Sequence, residues 1–140
     1  MTLVGIRGNH HAVNRELLLH AFDNTPALIL DCANCANPHS LFPEVEFEKF
    51  DSVYVIEIEL LYKLRDTLKR VPAMAKSLGL KSIVITSGHH LFDYSNDEEN
   101  NNIYEHSWEL MKEISDNLDI MVAVDDIHSD FAHRFCTKVI

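Results

Sequence analysis

The 140-residue sequence has few positively charged residues, and this scarcity limits the partners that it can bind. It contains 12 Lys and Arg against 22 Asp and Glu, which gives a formal net charge of −10 at pH 7. Affinity for nucleic acids comes largely from Lys and Arg side chains that displace counterions from phosphates. The sequence also has no basic run, so we expect no direct binding to DNA.

Long apolar runs and a paired set of cysteines are missing as well. No apolar segment approaches the roughly 20 residues that cross a bilayer, and the N-terminus lacks the features of a secretory signal peptide. Cys32, Cys35 and Cys136 make an odd number, which favours a reducing compartment when no signal peptide is present. These absences predict a cytoplasmic protein without membrane contact.

Hydrophobic patterning alternates between strand-like and helix-like segments along the whole chain. Short apolar runs predict strands at residues 2–7, 27–30, 53–56, 82–86 and 120–124, with a sixth within residues 134–140. Apolar residues at helical spacing predict helices over residues 12–23, 60–78 and 103–118. Strands that alternate with helices imply parallel strands joined by right-handed crossovers. The sequence therefore predicts one α/β domain over residues 1–140, a three-layer sandwich with a mainly parallel sheet of five or six strands.

Prolines and an acidic segment interrupt these patterns. Pro72 lies inside the second helical pattern, where it lacks an N–H and clashes with the preceding turn, so it should kink the helix or begin a second one. Gly79 is expected to cap this helix at its C-terminus. Residues 93–102 are acidic and rich in Asn, which indicates an exposed loop that leads into a helix. Residues 32–50 contain Pro38 and Pro43 and are predicted to be irregular.

Residues at the ends of four predicted strands carry a resemblance to a known family. After the first strand, residues 8–15 read GNHHAVNR, and the second strand ends in residues 31–34, DCAN. The fourth strand ends in Thr86, and the fifth in Asp125 and Asp126. In this order, the stretches resemble the ATPase core of the RecA/RadA/RadB recombinase family, which has the P-loop NTPase fold. The resemblance implies a strand order of 3-2-4-5-1, with any sixth strand beside the first.

The nucleotide-binding motifs of that family are degenerate in this sequence. The phosphate loop G-x-x-x-x-G-K-[ST] supplies a Lys that neutralises phosphate charge and a Ser or Thr that holds Mg²⁺. Asn14 and Arg15 take these two positions. The resemblance further implies that Ala33 replaces the carboxylate that orients the attacking water, and that Thr86 replaces the Asp of the magnesium site. Because three separate chemical functions are missing, we expect no conventional ATP hydrolysis.

The resemblance also bears on partners. The DNA-contacting loop after the fourth strand is basic in the family, whereas residues 93–102 are acidic here, so DNA strand exchange is not expected. What remains is a non-catalytic, pseudo-ATPase domain that acts as a protein-interaction partner or regulator, for example of a recombination or repair ATPase. RecA-like domains commonly assemble with one another, so the resemblance implies a dimer or a complex with an active paralogue.

A vestigial phosphate loop offers a second interpretation, which is nucleotide or anion binding without hydrolysis. The helix that follows the first strand keeps a partial positive charge at its N-terminus, and nearby Arg side chains would add to it. The alternative is a strand-to-helix turn that was inherited with the fold and binds nothing. The residues that would form this site are Gly8, Asn9, His10, His11, Asn14 and Arg15.

Cysteine and histidine near the second strand offer a third interpretation, a metal-binding protein or a metal-dependent enzyme. Cys32 and Cys35 have the spacing of metal ligands, and His39 follows within reach. The second ligand pair of a zinc ribbon is absent, and Cys32 could instead end a buried strand. A redox dithiol of Cys32 and Cys35 is a weaker alternative, because Pro38 leaves no clear helix start beside it. We therefore expect no cofactor, with zinc as the alternative.

Overall fold

A six-stranded sheet organises the chain, and the computed structural model describes residues 1–34, 36–41, 44–92 and 97–140 of it. The strands are β1 (Leu3–Ile6), β2 (Ala27–Cys32), β3 (Val53–Ile58), β4 (Ser82–Ile85), β5 (Asp119–Ala123) and β6 (Lys138–Val139). Their order is β3-β2-β4-β5-β1-β6, and the five pairings between neighbours are all parallel. This confirms the predicted order, including the sixth strand beside the first.

Helices in the described part of the chain cover both faces of the sheet. They are α1 (His10–Asp23), α2 (Leu61–Leu78), α3 (Asp97–Ile114) and α4 (Ser129–Phe135), with short 3₁₀ helices at Pro38–Leu41, Phe47–Ser52 and His89–Leu91. α1 packs on one face and α2 and α3 on the other, which makes the predicted three-layer sandwich. None of the described helices is both long and apolar enough to cross a membrane.

β2 is buried on both of its faces, and its sequence reflects this position. All six of its residues are buried. Ala27 and Ile29 pack in the apolar cluster around α1, whereas Leu28 and Leu30 pack in the cluster around α2 and α3. A strand covered on both sides needs an unbroken apolar run, because neither face meets water.

α2 excludes one of the two alternatives predicted at Pro72. The helix runs unbroken from Leu61 to Leu78, so Pro72 does not begin a second helix. A proline inside a helix costs about 3 kcal/mol, but most helical stability in proteins comes from the packing of the apolar face. That face is fully buried here at Leu64, Leu68 and Val71. Gly79 ends the helix at φ +64°, which confirms the predicted cap.

The acidic segment and the C-terminal tail differ from their predictions. α3 already begins at Asp97, so residues 97–102 are helical rather than a loop, and residues 93–96 lie outside the described residues. Three carboxylates in the first turn favour this start, because they interact with the positive end of the helix dipole. In the tail, Ser129–Phe135 forms a helix, and only Lys138–Val139 pairs with β1. Within residues 32–50, the 3₁₀ helices replace part of the predicted irregular structure.

Candidate functional site

The connection from β1 to α1 is only three residues long. Gly8 has φ +144°, a conformation that favours glycine, and it turns the chain towards the helix. Asn9 then caps the helix: its Oδ1 accepts hydrogen bonds from the N–H groups of His11 (3.0 Å) and Ala12 (3.4 Å). Two of the first N–H groups of α1, those of His11 and Ala12, therefore already have an acceptor within the chain.

This geometry differs from that of an open loop around a phosphate. Of the eight residues that align with the family's loop, the last six are already part of α1, which begins at His10. Val13, at the position of the family's second glycine, is buried in the helix. Whether the short turn holds an anion or a nucleotide remains a prediction.

The two arginines that could strengthen an anion site each have a carboxylate partner. Arg7 Nη2 lies 2.8 Å from Asp126 Oδ1, and Arg15 Nη2 bonds to a carboxylate oxygen of Glu44. Both pairs are at least partly exposed, so each contributes little to stability. Their effect on the site is mainly electrostatic, because they neutralise the positive charge beside the turn.

A cleft of about 200 Å³ opens at the carboxyl end of the sheet, between β1, β4 and β5. Ligands of open parallel sheets bind at this edge. The cleft is lined by Gly8, His10, Val13, Asn14, Ser87, His90, Ala123, Val124, Asp125 and Asp126. The structure thus brings Gly8, His10 and Asn14 of the predicted site together with the ends of β4 and β5.

Histidines form the rim of this cleft. The His10 ring lies 5.9 Å from the ring of His90 and 5.8 Å from that of His11, both edge to face. Burial lowers the pKa of His10 below 6.5, and the neighbouring charges of His90 and His11 lower it further. Its Nε2 lies 3.3 Å from Asn14 Nδ2, where the neutral ring can accept a hydrogen bond.

Asn14, which the resemblance places at the lysine of the family's loop, is buried. Its side chain is 4% exposed, and its Oδ1 has no hydrogen-bond partner among the described residues. An unpaired buried amide oxygen costs free energy. The family's lysine reaches out towards phosphate, whereas Asn14 points towards His10 on the same helix.

Asp125 and His128 form a fixed pair after β5. Asp125 Oδ1 accepts hydrogen bonds from the backbone N–H of His128 (2.9 Å) and from its ring Nδ1 (3.0 Å). The ring of His128 stacks on Phe92 at 4.1 Å and meets the edge of Tyr104 at 5.4 Å. Burial, together with the negative charge of Asp125, raises the pKa of Tyr104, so its hydroxyl stays protonated at neutral pH.

Thr86 joins the ends of β2 and β4 where the family has a magnesium-binding Asp. It is fully buried, and its Oγ1 accepts a hydrogen bond from the N–H of Cys32 (2.7 Å). The same oxygen lies 3.4 Å from Asp31 Oδ1, which also accepts the N–H of Ala36 (3.1 Å). These contacts hold the turn after β2, where Ala33 has φ +56°.

The metal site predicted at Cys32, Cys35 and His39 is only partly visible. Cys32 is buried at the end of β2, as the alternative interpretation had it. Cys35 and the side chain of His39 lie outside the described residues. No group of three His, Cys, Asp or Glu side chains in the described part of the chain is arranged to hold a metal ion. The zinc prediction therefore remains untested.

Several of these contacts have no signal in the sequence. The ion pairs of Arg7 with Asp126 and of Arg15 with Glu44 join residues distant in the chain. The buried side of Asn14 could be read from helical spacing, because Val13, Leu17 and Leu18 lie on the same face. The Asn9 cap also has a signal, since Asn before an apolar helical pattern is a common N-cap.

Comparisons with known proteins bear on the fold. No protein-family model matches the sequence, and no curated protein matches it. Among solved structures, the chain is similar to the KaiC-like protein PH0186 of the hyperthermophilic archaeon Pyrococcus horikoshii OT3, with a TM-score of 0.58 and 13% sequence identity. The match covers 88% of this chain but only 60% of that one. At this identity the likeness concerns the fold alone. Together with the strand order, it identifies the chain as a RecA-like α/β fold.

Proposed function

We propose that this chain is a cytoplasmic RecA-like domain that does not hydrolyse ATP and acts through contacts with other proteins, as a partner or regulator of an ATPase. The observation that carries the proposal is the β1–α1 turn. Its helix N–H groups are capped by Asn9, and its nearby cations, Arg7 and Arg15, are paired with carboxylates. The same account expects no direct binding to DNA.

The charge of the cleft supports this proposal. A nucleoside triphosphate with bound Mg²⁺ still carries negative charge, so phosphate sites use Lys, Arg or open N–H groups. The cleft has no Lys or Arg among its described lining residues, and it contains Asp125 and Asp126. Arg7, which lies beside the cleft, is already paired with Asp126, so the described lining offers no free cation to the phosphates that an ATPase has to hold.

The chemistry of the strand ends supports it as well. Water activation and magnesium binding both require a carboxylate that faces the phosphates. At the corresponding positions, Ala33 offers a methyl group, and the hydroxyl of Thr86 is buried between Cys32 and Asp31. Asp31 is itself 1% exposed and bonded to the following turn. None of these groups is available to a bound nucleotide without rearrangement of the turn.

The edge of the sheet at β3 favours a role in protein contacts. β3 is the outermost strand, and β2 pairs with it over all six residues. Its other side has no strand partner in the described part of the chain. Tyr54 and Val55 are 37% and 43% exposed, and Glu57 is the only charged residue of the strand. An exposed apolar edge of this length invites an added strand from another chain.

Enzymology with the purified protein tests the absence of hydrolysis. We expect phosphate release from Mg-ATP at the rate of the buffer control, and no magnesium-dependent heat of ATP binding in calorimetry. Micromolar, magnesium-dependent ATP binding together with turnover would overturn the proposal. Elemental analysis of the same sample measures whether the purified protein carries a metal. Stoichiometric zinc would favour the metal-binding interpretation instead.

A separate experiment tests the β3 edge. Val55→Asp introduces a charge on the exposed edge strand and should weaken capture of protein partners, because a buried unpaired charge is costly at an interface. Glu57→Gln is the matched control on the same strand, since it leaves the apolar edge intact. If Val55→Asp captures protein partners as well as the wild type does, the β3 edge does not mediate these contacts.

A further inference from the structure

Helices α2 and α3 have opposite charge, although the chain as a whole is acidic. α2 contains five basic residues and one acidic residue, whereas α3 contains six acidic residues and one basic residue. α2 thus holds five of the chain's 12 Lys and Arg. The two helices pack side by side on the same face of the sheet, so this face is divided into a basic half and an acidic half.

The groove between the two helices is apolar at its floor and charged at its rim. It has a volume of about 530 Å³. Lys69 and Lys76 lie on its α2 side, and Glu113 lies on its α3 side. Its apolar lining comprises Leu68, Pro72, Ala75, Leu80, Leu110, Ile114 and Leu118.

The charged residues of this groove have no ion-pair partner in the part of the chain that the structure describes. Lys69, Lys76 and Glu113 of the groove lining are exposed, as is Glu109, one turn before Glu113 on α3. None of the four makes an ion pair with another described residue. By contrast, Glu105 of α3 bonds to Arg134 of α4, on the side away from α2. The only basic residue of α3, Lys112, lies near Cys136, also away from α2. The groove side of α3 is therefore acidic, opposite a basic α2.

We propose that this face binds a second copy of the chain, as a symmetric dimer in which α2 of each copy lies on α3 of the other. α2 and α3 connect successive parallel strands by crossovers, so they run in the same direction. A twofold axis along the groove then sets Lys69 and Lys76 of one copy against the acidic helix of the other. A twofold axis across the groove would set α2 on α2, with like charges in contact, and is disfavoured.

The size of the face sets the strength expected of this dimer. Each helix has 18 residues and is about 27 Å long, so two helices side by side present roughly 500 Å² per partner. This is smaller than the roughly 800 Å² per partner of a standard specific interface. The dimer should therefore be weak, in the micromolar range, and its charged rim should make it weaker at high salt.

The proposal rests on the proposed function, in that the chain acts through protein contacts, and it names a second copy as the partner. Sedimentation equilibrium of the full chain at low and high salt tests it. We expect a monomer–dimer equilibrium at low salt that shifts at least about tenfold towards monomer at high salt. Lys69→Glu/Lys76→Glu and Glu109→Lys/Glu113→Lys should each be monomeric, because each variant places like charges on both helices.

Mixing the two reversed variants provides the decisive result. In the mixture, the reversed α2 of one variant meets the reversed α3 of the other at one contact, and the unchanged α2 and α3 meet at the second contact. Opposite charges then face each other at both contacts, so the heterodimer should form with about the affinity of the wild type. Matched controls reverse two exposed charges elsewhere, as Lys49→Glu/Lys138→Glu and Glu16→Lys/Glu48→Lys, and should dimerise like the wild type within about twofold. Because all eight side chains are exposed, reversing their charges should leave the fold intact, and circular dichroism checks this.

The alternative outcomes each contradict the proposal. A wild-type chain that is monomeric at every concentration and salt overturns it, as does a dimer that survives both reversals or a mixture that stays monomeric. A dimer lost in Val55→Asp but kept in the α2 and α3 variants assigns self-association to the β3 edge instead. ATP turnover contradicts the proposed function and leaves the sedimentation result unaffected, so the two failures are distinguishable.

Discussion

Thr86 provides a direct test of how the strand ends are built. Thr86→Val keeps the shape of the side chain but removes the oxygen that accepts the N–H of Cys32 at 2.7 Å. It also removes the hydroxyl 3.4 Å from Asp31 Oδ1, in a position that is fully buried. Loss of one partner of a buried hydrogen bond costs about 1–3 kcal/mol. We expect the free energy of unfolding in urea to fall by about 2 kcal/mol.

Thr86→Asp, which introduces the residue that the resemblance implies at this position, should destabilise the fold more than Thr86→Val does. Thr86→Asp sets a second carboxylate within hydrogen-bond distance of the buried Asp31, and breaking or crowding a buried charged group costs about 3–5 kcal/mol. Protonation of one carboxyl relieves the repulsion, so the stability of Thr86→Asp should recover as the pH falls towards the ordinary carboxyl pKa of about 4. Thr86→Ser is the control and should lose about 1 kcal/mol, because only a methyl group is removed. A Thr86→Asp variant as stable as the wild type at neutral pH would refute the reasoning.

Three further predictions concern the turn and the cleft. Asn9→Ala removes the helix cap and should lower the free energy of unfolding, measured in urea, by about 1 kcal/mol. Asn9→Ser keeps a side-chain acceptor, so its free energy of unfolding should stay close to that of the wild type. Gly5→Ala should destabilise by about 1–3 kcal/mol, because the added Cβ would lie 2.8 Å from Val124 Cγ2 inside the sheet's packing, and an unchanged urea midpoint would contradict this. The lowered pKa of His10 means that the folded state binds fewer protons than the unfolded state, so stability should fall as the pH drops below about 6.5. His10→Gln should flatten that pH dependence of the urea midpoint, and an identical profile for the variant would argue against this cause.

Local hydrophobic patterns in the sequence predict much of the fold. The unbroken apolar run of β2 indicates a strand that is covered on both faces, and the family resemblance carried by the strand-end residues implied the order of the sheet. Local patterns say less where local preference and tertiary packing disagree. Pro72 left open whether a second helix begins there, and the buried face of α2 keeps the helix continuous. Residues 97–102 are polar enough for a loop, yet the carboxylates at Asp97, Glu98 and Glu99 stabilise a helix start.

The site was harder to predict than the fold, for a physical reason. The resemblance implies substitutions at Asn14, Arg15 and Thr86, but what each side chain contacts depends on the fold. Arg15 bonds to Glu44, and Thr86 bonds to the backbone of Cys32, 54 residues away. Contacts of this kind are set by the fold and leave no local pattern in the sequence.

Phosphate release from Mg-ATP is the measurement that tests the central claim most directly. Ordinary enzymes turn over about once per second or faster, so even a slow ATPase would be seen with a concentrated sample. The account predicts release no faster than in a protein-free control, with or without magnesium. Magnesium-dependent release that saturates with ATP, and that is lost when the cleft residue Asp125 is changed to Asn, would contradict it.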